Sequence, residues 1–278
     1  MIEIDNIYNE DCLVGMQRIP DGSVDCIISD LPYGSTACSW DSVIPFEPLW
    51  EQFKRVTKPN AAIVLFGSEP FSSYLRISNI KWYRYDLIWD KQKGTGFANA
   101  NKMPMKSHEN ISVFYQHLPS YNPQMGIGSP YIRKGRVRKS GSRIFSTREL
   151  TDDEKQNPSV ITNKSSIASV VSKEKSSNGE RYPLSVIYYS NANHFEVLHP
   201  TQKPVDLLRY LILTYSNPND LILDATIGSG TTAVAALMEK RHFIGFELNK
   251  EYYDKAVRRI AEIRRNPTLD FNSQNSYN

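Results

Sequence analysis

Residues 220–247, "DLILDATIGSGTTAVAALMEKRHFIGFE", read as strand, glycine loop, helix and second strand, and this unit stands close to the C-terminal end of a 278-residue chain. The loop "GSGTTA" (228–233) fits the spacing G-x-G-x-x-[G/A], and Glu247 closes the strand that follows. Missing side chains at Gly228 and Gly230 let a ligand approach the backbone, and the helix that opens there favours an anionic group. An acid at the end of the second strand is placed to take ribose hydroxyls. A tight turn without any ligand would use the same glycines. Only one more helix, "KEYYDKAVRRIAEIRR" (250–265), comes after Glu247. The sheet therefore has to be completed from the N-terminal half, which predicts a circularly permuted α/β sheet with "IEIDNIY" beside the strand that ends at Glu247.

The N-terminal half supplies the strands this requires. "VDCIIS" (24–29), "AAIVLF" (61–66), "YDLIW" (85–89) and "ISVFY" (111–115) are apolar, β-branched runs. Between the first two, "FEPLWEQFKRV" places Phe46, Leu49, Trp50 and Phe53 at helical spacing. Strands alternating with helices predict a doubly wound, mostly parallel sheet covered on both faces. The first run ends in "DLPYG" (30–34), which the permutation puts at the carboxyl end of a strand next to the glycine loop's strand. Ligands bind at such switch points. Further on, "VDLLRYLILTY" (205–215) is an amphipathic helix, with Thr201 before it and Pro204 near its first turn.

Net charge is only +3, so any case for a polyanionic partner rests on where the charge sits. From Gln116 to Arg148 no residue is acidic, while Arg133, Lys134, Arg136, Arg138, Lys139, Arg143 and Arg148 are present, interleaved with Tyr121, Tyr131 and Phe145. A Ser/Lys/Asn-rich stretch (163–180) follows without periodicity. Residues 118–195 are read as an insertion between two halves of one core, 1–117 and 196–265, with a polar tail at 266–278. Three cysteines without C-x-x-C spacing argue against a disulfide framework or a zinc site and make a reducing cytoplasm the expectation. No signal peptide or run of membrane-spanning length is expected. His108 and Glu109, an isolated pair at a strand entrance, are read as structural.

Four motifs in order, "DLPYG" (30–34), "HPTQKP" (199–204), "DATIGSGTT" (224–232) and "IGFELNKEYYDKA" (244–256), resemble the amino-methyltransferases of DNA. With the D-P-P-Y-like motif first and the cofactor loop last, the order is similar to the beta class of adenine-N6 enzymes. "NEDCLVGMQRIPDGSVDCIISD" (9–30), "IWDK" (88–91) and "SHENISVFY" (107–115) resemble further segments of that family. Leu31 stands where the family has its first proline, and Ala225-Thr226 where it has Pro-Phe.

The resemblance implies a seven-stranded, Rossmann-like methyltransferase sheet, S-adenosylmethionine as cofactor and double-stranded DNA as partner. Asp30 and the Leu31 carbonyl would accept the two N–H bonds of a flipped adenine's N6 amine, with Pro32 shaping the turn and Tyr33 offering a stacking face. Glu247 would take the cofactor's ribose, the Gly228–Thr232 loop (with Gly230, Thr231 and Thr232) its methionine portion, and Asp11 with Cys12 its adenine. Thr201 and Lys203 are assigned near the methionine carboxylate, and Asp224 to the ammonium or to the loop itself. The insertion falls where beta-class enzymes carry target recognition, which makes Arg133, Lys134, Arg136, Arg138, Lys139 and Arg143 candidate DNA contacts. A homodimer and a cognate restriction endonuclease stay open as partners. Cytosine-N4 methylation, where Ser usually replaces Asp30, is the nearest alternative. Methylation of RNA or a protein glutamine, where Asn is commoner, is a further one. An inactive DNA-binding module with a Rossmann-like fold is the alternative from another class.

Overall fold

The computed structural model describes residues 2–34, 42–133, 137–138, 170–171, 175–190 and 202–265. The chain divides into two compact units, Met1–Gln124 with Pro183–Asn278, and Met125–Tyr182. The first holds the strands β1 (Asn6–Tyr8), β2 (Val24–Ser29), β3 (Thr57–Gly67), β4 (Tyr83–Thr95) and β5 (Lys106–Phe114). Its helices in this half are α1 (Cys12–Met16), α2 (Phe46–Val56) and α3 (Phe71–Ser78). The second unit contributes β6 (Gly126–Ile127), β7 (Tyr131–Arg133), β8 (Val137–Arg138), β9 (Val170–Val171), β10 (Lys175–Ser177) and β11 (Glu180–Arg181). The chain then returns to the core with β12 (Val186–Tyr188), α4 (Val205–Tyr215), β13 (Leu221–Asp224), α5 (Thr231–Met238), β14 (His242–Phe246) and α6 (Lys250–Arg265).

The core sheet has the order β1-β14-β13-β2-β3-β5-β4-β12. Pairing is parallel from β1 to β3 and between β4 and β12, and antiparallel only where β5 lies between β3 and β4. The two joins the glycine-loop unit demanded are present: β1 lies beside β14, with Tyr8 opposite Phe246, and β2 lies beside β13, with Ile27 opposite Leu223. Successive side chains on β2 and β3 fall into two different cores. Cys26, Ile28, Ala62, Val64 and Phe66 pack with Leu207, Leu211, Ala233, Ala236 and Ile260 of the C-terminal helices. Ile27, Ile63 and Leu65 pack with Met16, Leu49, Phe53 and Leu75 of the N-terminal helices. Each half of the chain thus roofs one face of a shared sheet, as a strand buried on both sides requires.

The sheet carries one strand more than the expected seven. β12 joins the edge through Val186 opposite Ile88, and Ile187 is buried there. It belongs to a stretch read from composition as insertion, so the second unit (125–182) is shorter at both ends than 118–195. That unit is a ribbon of antiparallel pairs, β6 with β11, β7 with β10 and β8 with β9. The Arg181 guanidinium lies 5.0 Å from the Tyr131 ring centre, and its Nη2 donates to the Ser129 carbonyl at 2.6 Å. Among the described residues no helix is long and apolar enough to cross a membrane, and no group of three His, Cys, Asp or Glu side chains could hold a metal ion.

Candidate active site

A cavity of about 730 Å³ opens at the carboxyl ends of β2, β13 and β14. Its walls bring together residues far apart in sequence: Asp11 and Cys12, Asp30 to Tyr33, Lys203, Asp224, Gly228, Thr231, Thr232 and Glu247. The switch-point crevice inferred from the sequence is this cavity.

Three backbone turns shape the side of the cavity that holds Asp11, Glu247 and Asp224. Asp11 caps α1, its Oδ1 accepting from Leu13 N at 2.7 Å, and burial pushes the adjacent Cys12 thiol up to about 12. Glu247 accepts from Gly228 N at 2.9 Å and from Asn249 N at 2.7 Å, so its carboxylate is locked between the glycine loop and the entry to α6. Burial nevertheless raises its carboxyl above the usual range. Asp224 is satisfied internally: Ser29 Oγ donates to it at 2.7 Å, Thr232 Oγ1 at 2.6 Å and Thr226 N at 3.1 Å. Burial pushes its carboxyl up to about 6. Of the two roles considered for Asp224, these bonds describe the organiser of the loop.

Gly230 holds the turn in a different way from the one expected. Its φ is +82°, a region L side chains avoid, and a Cβ there would come within 3.1 Å of Ala256 Cβ on α6. Gly230 does not line the cavity; its missing side chain lets the loop seat on a helix. Gly228, with φ +54°, does line it.

On the other side, β2 delivers Asp30. Tyr33 Oη donates to Asp30 Oδ1 at 2.5 Å, and the Lys203 ammonium bonds Asp30 Oδ2. Thr226, one of the two departures from the family pattern in its loop, donates to the Asp30 carbonyl at 2.9 Å and pins the strand end. Leu31 is buried, and the Tyr33 ring lies 5.0 Å from that of Phe71. Lys203, expected near a methionine carboxylate, instead directs its ammonium at Asp30 and at Glu109, the latter 3.3 Å away. Glu109 also accepts from Lys91 Nζ at 2.8 Å, so the residue read as structural belongs to the cavity wall, as do Lys91 and Trp89. His108 is exposed.

Burial, reinforced by the like charge of Glu109, raises the Asp30 carboxyl against the pull of Lys203. Burial also works against the Lys203 ammonium, but Asp30 and Glu109 together hold it above its ordinary value. Glu109 is raised by burial, and the charges of Lys203 and Lys91 more than reverse this. The sequence reading missed Lys91, Glu109, Ser29 and Gln202, whose Oε1 accepts from Ser229 Oγ at 3.2 Å. Register alone carries the signal for one pair: Trp89 lies opposite Glu109, and Lys91 is two residues along β4 on the same face.

Thr201, Lys134, Arg136, Lys139 and Arg143 lie outside the described residues. Arg133 and Arg138 fall in β7 and β8 of the second unit.

The crevice joins Glu247 and the glycine loop to the Asp30–Tyr33 turn at the carboxyl ends of neighbouring strands, where open α/β sheets bind ligands. The sequence model of the N6/N4-type DNA methylase family matches residues 24–258, and the chain belongs to that family of S-adenosylmethionine-dependent DNA methyltransferases. It is 27% identical over 288 residues to the type II methyltransferase M1.MboII of Moraxella bovis, spanning 92% of this chain and 96% of the relative. To M.HinfI of Haemophilus influenzae it is likewise 27% identical, over 95% of this chain and 70% of that one. Among solved structures, the M1.HpyAVI–SAM complex shares the fold with a TM-score of 0.59 at 22% identity, over 92% of this chain and 98% of that one. The cytosine-N4-specific PvuII DNA methyltransferase does so at 0.60 and 16%, over 94% and 91%.

Proposed function

We propose that the protein methylates the exocyclic N6 amine of adenine in duplex DNA, with the target base flipped into the cavity. The observation that carries this is the carboxylate of Asp30 at the end of β2, in one cavity with Glu247 and the glycine loop. Serine is the usual residue at this place in cytosine-N4 enzymes. The residues present fit S-adenosylmethionine: Glu247 and Asp11 would hold its adenosine part, and Gly228 to Thr232 its methionine part. When bound, this group supplies an electrophilic methyl carbon on its sulfonium.

The chain's own residues act on the amine. Adenine's amino nitrogen is a poor nucleophile because its lone pair is delocalised into the ring. Two acceptors drawing on its N–H bonds turn the nitrogen toward sp³ and release that pair. A carboxylate offers about four acceptor sites, and Tyr33 and Lys203 occupy two on Asp30. Asp30 therefore has capacity for an N–H bond, and the Leu31 carbonyl would take the second. This is preorganised electrostatics with proximity, without a covalent intermediate. The Tyr33 ring would stack on the base, a contact worth about 1–3 kcal/mol in single-strand binders. The basic second unit would contribute contacts to the DNA.

The test is mass spectrometry of nucleosides digested from DNA incubated with the protein and S-adenosylmethionine. The expected product is 6-methyladenine. 4-Methylcytosine would overturn the adenine reading, and an unmodified digest would overturn transfer to DNA.

A further inference from the structure

Four charges run in single file from the candidate catalytic carboxylate of Asp30, itself 23% exposed, into the wall of the cavity. Asp30 Oδ2 bonds the Lys203 ammonium, Lys203 Nζ stands 3.3 Å from Glu109 Oε2, and Glu109 Oε1 accepts from Lys91 Nζ at 2.8 Å. The side chains of Lys203, Glu109 and Lys91 are only 9%, 14% and 9% exposed. They come from separate places: the end of β2, the run before α4, β5 and β4. Aromatic faces close the row, with Lys203 Nζ 5.2 Å from the Phe66 ring centre and 5.9 Å from that of Trp89, and Lys91 Nζ 5.8 Å from Trp89.

Stability does not account for such a row. Each buried ion costs several kcal/mol of desolvation, and well-packed apolar residues in place of such a set are often neutral or better. Chemistry does account for it. A lysine paired with Asp30 alone would draw the carboxylate's charge to itself and away from an incoming N–H. A second carboxylate on the same ammonium divides that pull.

The geometry points to Glu109 as a positioning residue: by taking a share of the Lys203 ammonium it leaves Asp30 a strong acceptor for the target amine, and Lys91 fixes Glu109 in that role. The inference rests on the methyltransferase reading above and deepens it. Among the described residues, besides Lys203 and Glu109, the titratable groups facing Asp30 are Tyr33 from its own turn, Asp224 from β13 and, through Glu109, Lys91.

The test compares the parent, Glu109→Gln and Lys91→Met by two measurements. One is titration of ¹³C-carboxyl aspartate by NMR, with Asp30 identified by the signal lost in Asp30→Asn. The other is single-turnover DNA methylation against pH with DNA and S-adenosylmethionine saturating. Glu109→Gln removes a negative charge and gives Lys203 wholly to Asp30, so the Asp30 midpoint and the acid limb of the rate should move down by about one unit or more. The weaker acceptor should also slow the plateau rate. Lys91→Met removes a positive charge and lets Glu109 pull harder on Lys203, so both should move up. Midpoints that stay put, or that move the same way in the two variants, overturn the inference. If Glu109→Gln does not fold, Lys91→Met carries the test alone. A parent that transfers no methyl group overturns the reading of function, and the carboxyl titration still decides the pairing.

Discussion

Asp30 carries its carboxyl in surroundings that oppose a negative charge there. Burial raises its carboxyl, Lys203 opposes that, and Tyr33 donates to the remaining oxygen. Removing the carboxylate takes away one preorganised acceptor, and loss of one comparable donor in an oxyanion hole slows catalysis by about 10²–10³. Asp30→Ala should therefore lower the methyl-transfer rate at least a hundredfold while cofactor affinity, read by calorimetry, stays near the parent's. Asp30→Asn keeps an acceptor oxygen without the charge and should retain a trace of activity. Near-parent turnover in Asp30→Ala would remove the proposed mechanism. Single residues also mark where the sequence stopped being informative. The placement of Asp30, Glu247 and Gly228 around one cavity was legible because the motif fixes residue type and strand end together. Lys91 and Glu109 were not, because each earns its place through a partner on another strand, and single charges on strands look alike until register pairs them. Thr226 seemed only a departure from pattern until its bond to the Asp30 carbonyl appeared.

Whole elements were read more successfully, because burial imposes a period. α2, α4 and α6 begin and end where their apolar spacing does, and β2 is buried along nearly its whole length. β3 and β4 run beyond their apolar centres, since polar residues can continue a ladder that backbone pairing sustains. The antiparallel place of β5 between β3 and β4 leaves no mark in composition. The contact of α5 with α6 at Gly230 was equally silent, and it changes what a substitution there should do. Gly230→Val must accept a φ of +82° and press Cβ toward Ala256, 3.1 Å away. A non-glycine residue in that region costs about 1–3 kcal/mol. Denaturant unfolding should show at least that loss, with cofactor affinity falling because the loop is displaced. Adding Ala256→Gly should recover the steric part due to its Cβ and leave the contact with its Cα, 3.3 Å away, and the strain. A stable Gly230→Val protein with parent affinity would show that the loop tolerates another backbone.

At the scale of the molecule, the second unit is an addition to a core that closes without it. Both of its flanks are bonded into that core: Asn122 N donates to the Thr214 carbonyl at 2.8 Å, and Ile88 N donates to the Ser185 carbonyl at 2.8 Å. Both flanks also line one core cavity of about 680 Å³, Leu118, Pro119 and Tyr121 from one side and Pro183 and Leu184 from the other. A short glycine–serine linker in place of 125–182 should therefore leave the eight-stranded sheet and the candidate cofactor cavity intact, since none of the described residues lining that cavity lies in the deleted range. Such a variant should unfold cooperatively and bind S-adenosylmethionine with parent affinity in calorimetry. Its DNA affinity should behave differently. The deletion removes Arg133, Lys134, Arg136, Arg138, Lys139 and Arg143 together. Each phosphate contact among them contributes about 0.9 to the slope of log affinity against log salt, because binding releases condensed counterions. Fluorescence anisotropy across a salt series should show weaker binding and a flatter slope. A slope equal to the parent's would mean that these cations do not touch DNA. Loss of cofactor binding along with it would mean that the core depends on the unit it carries.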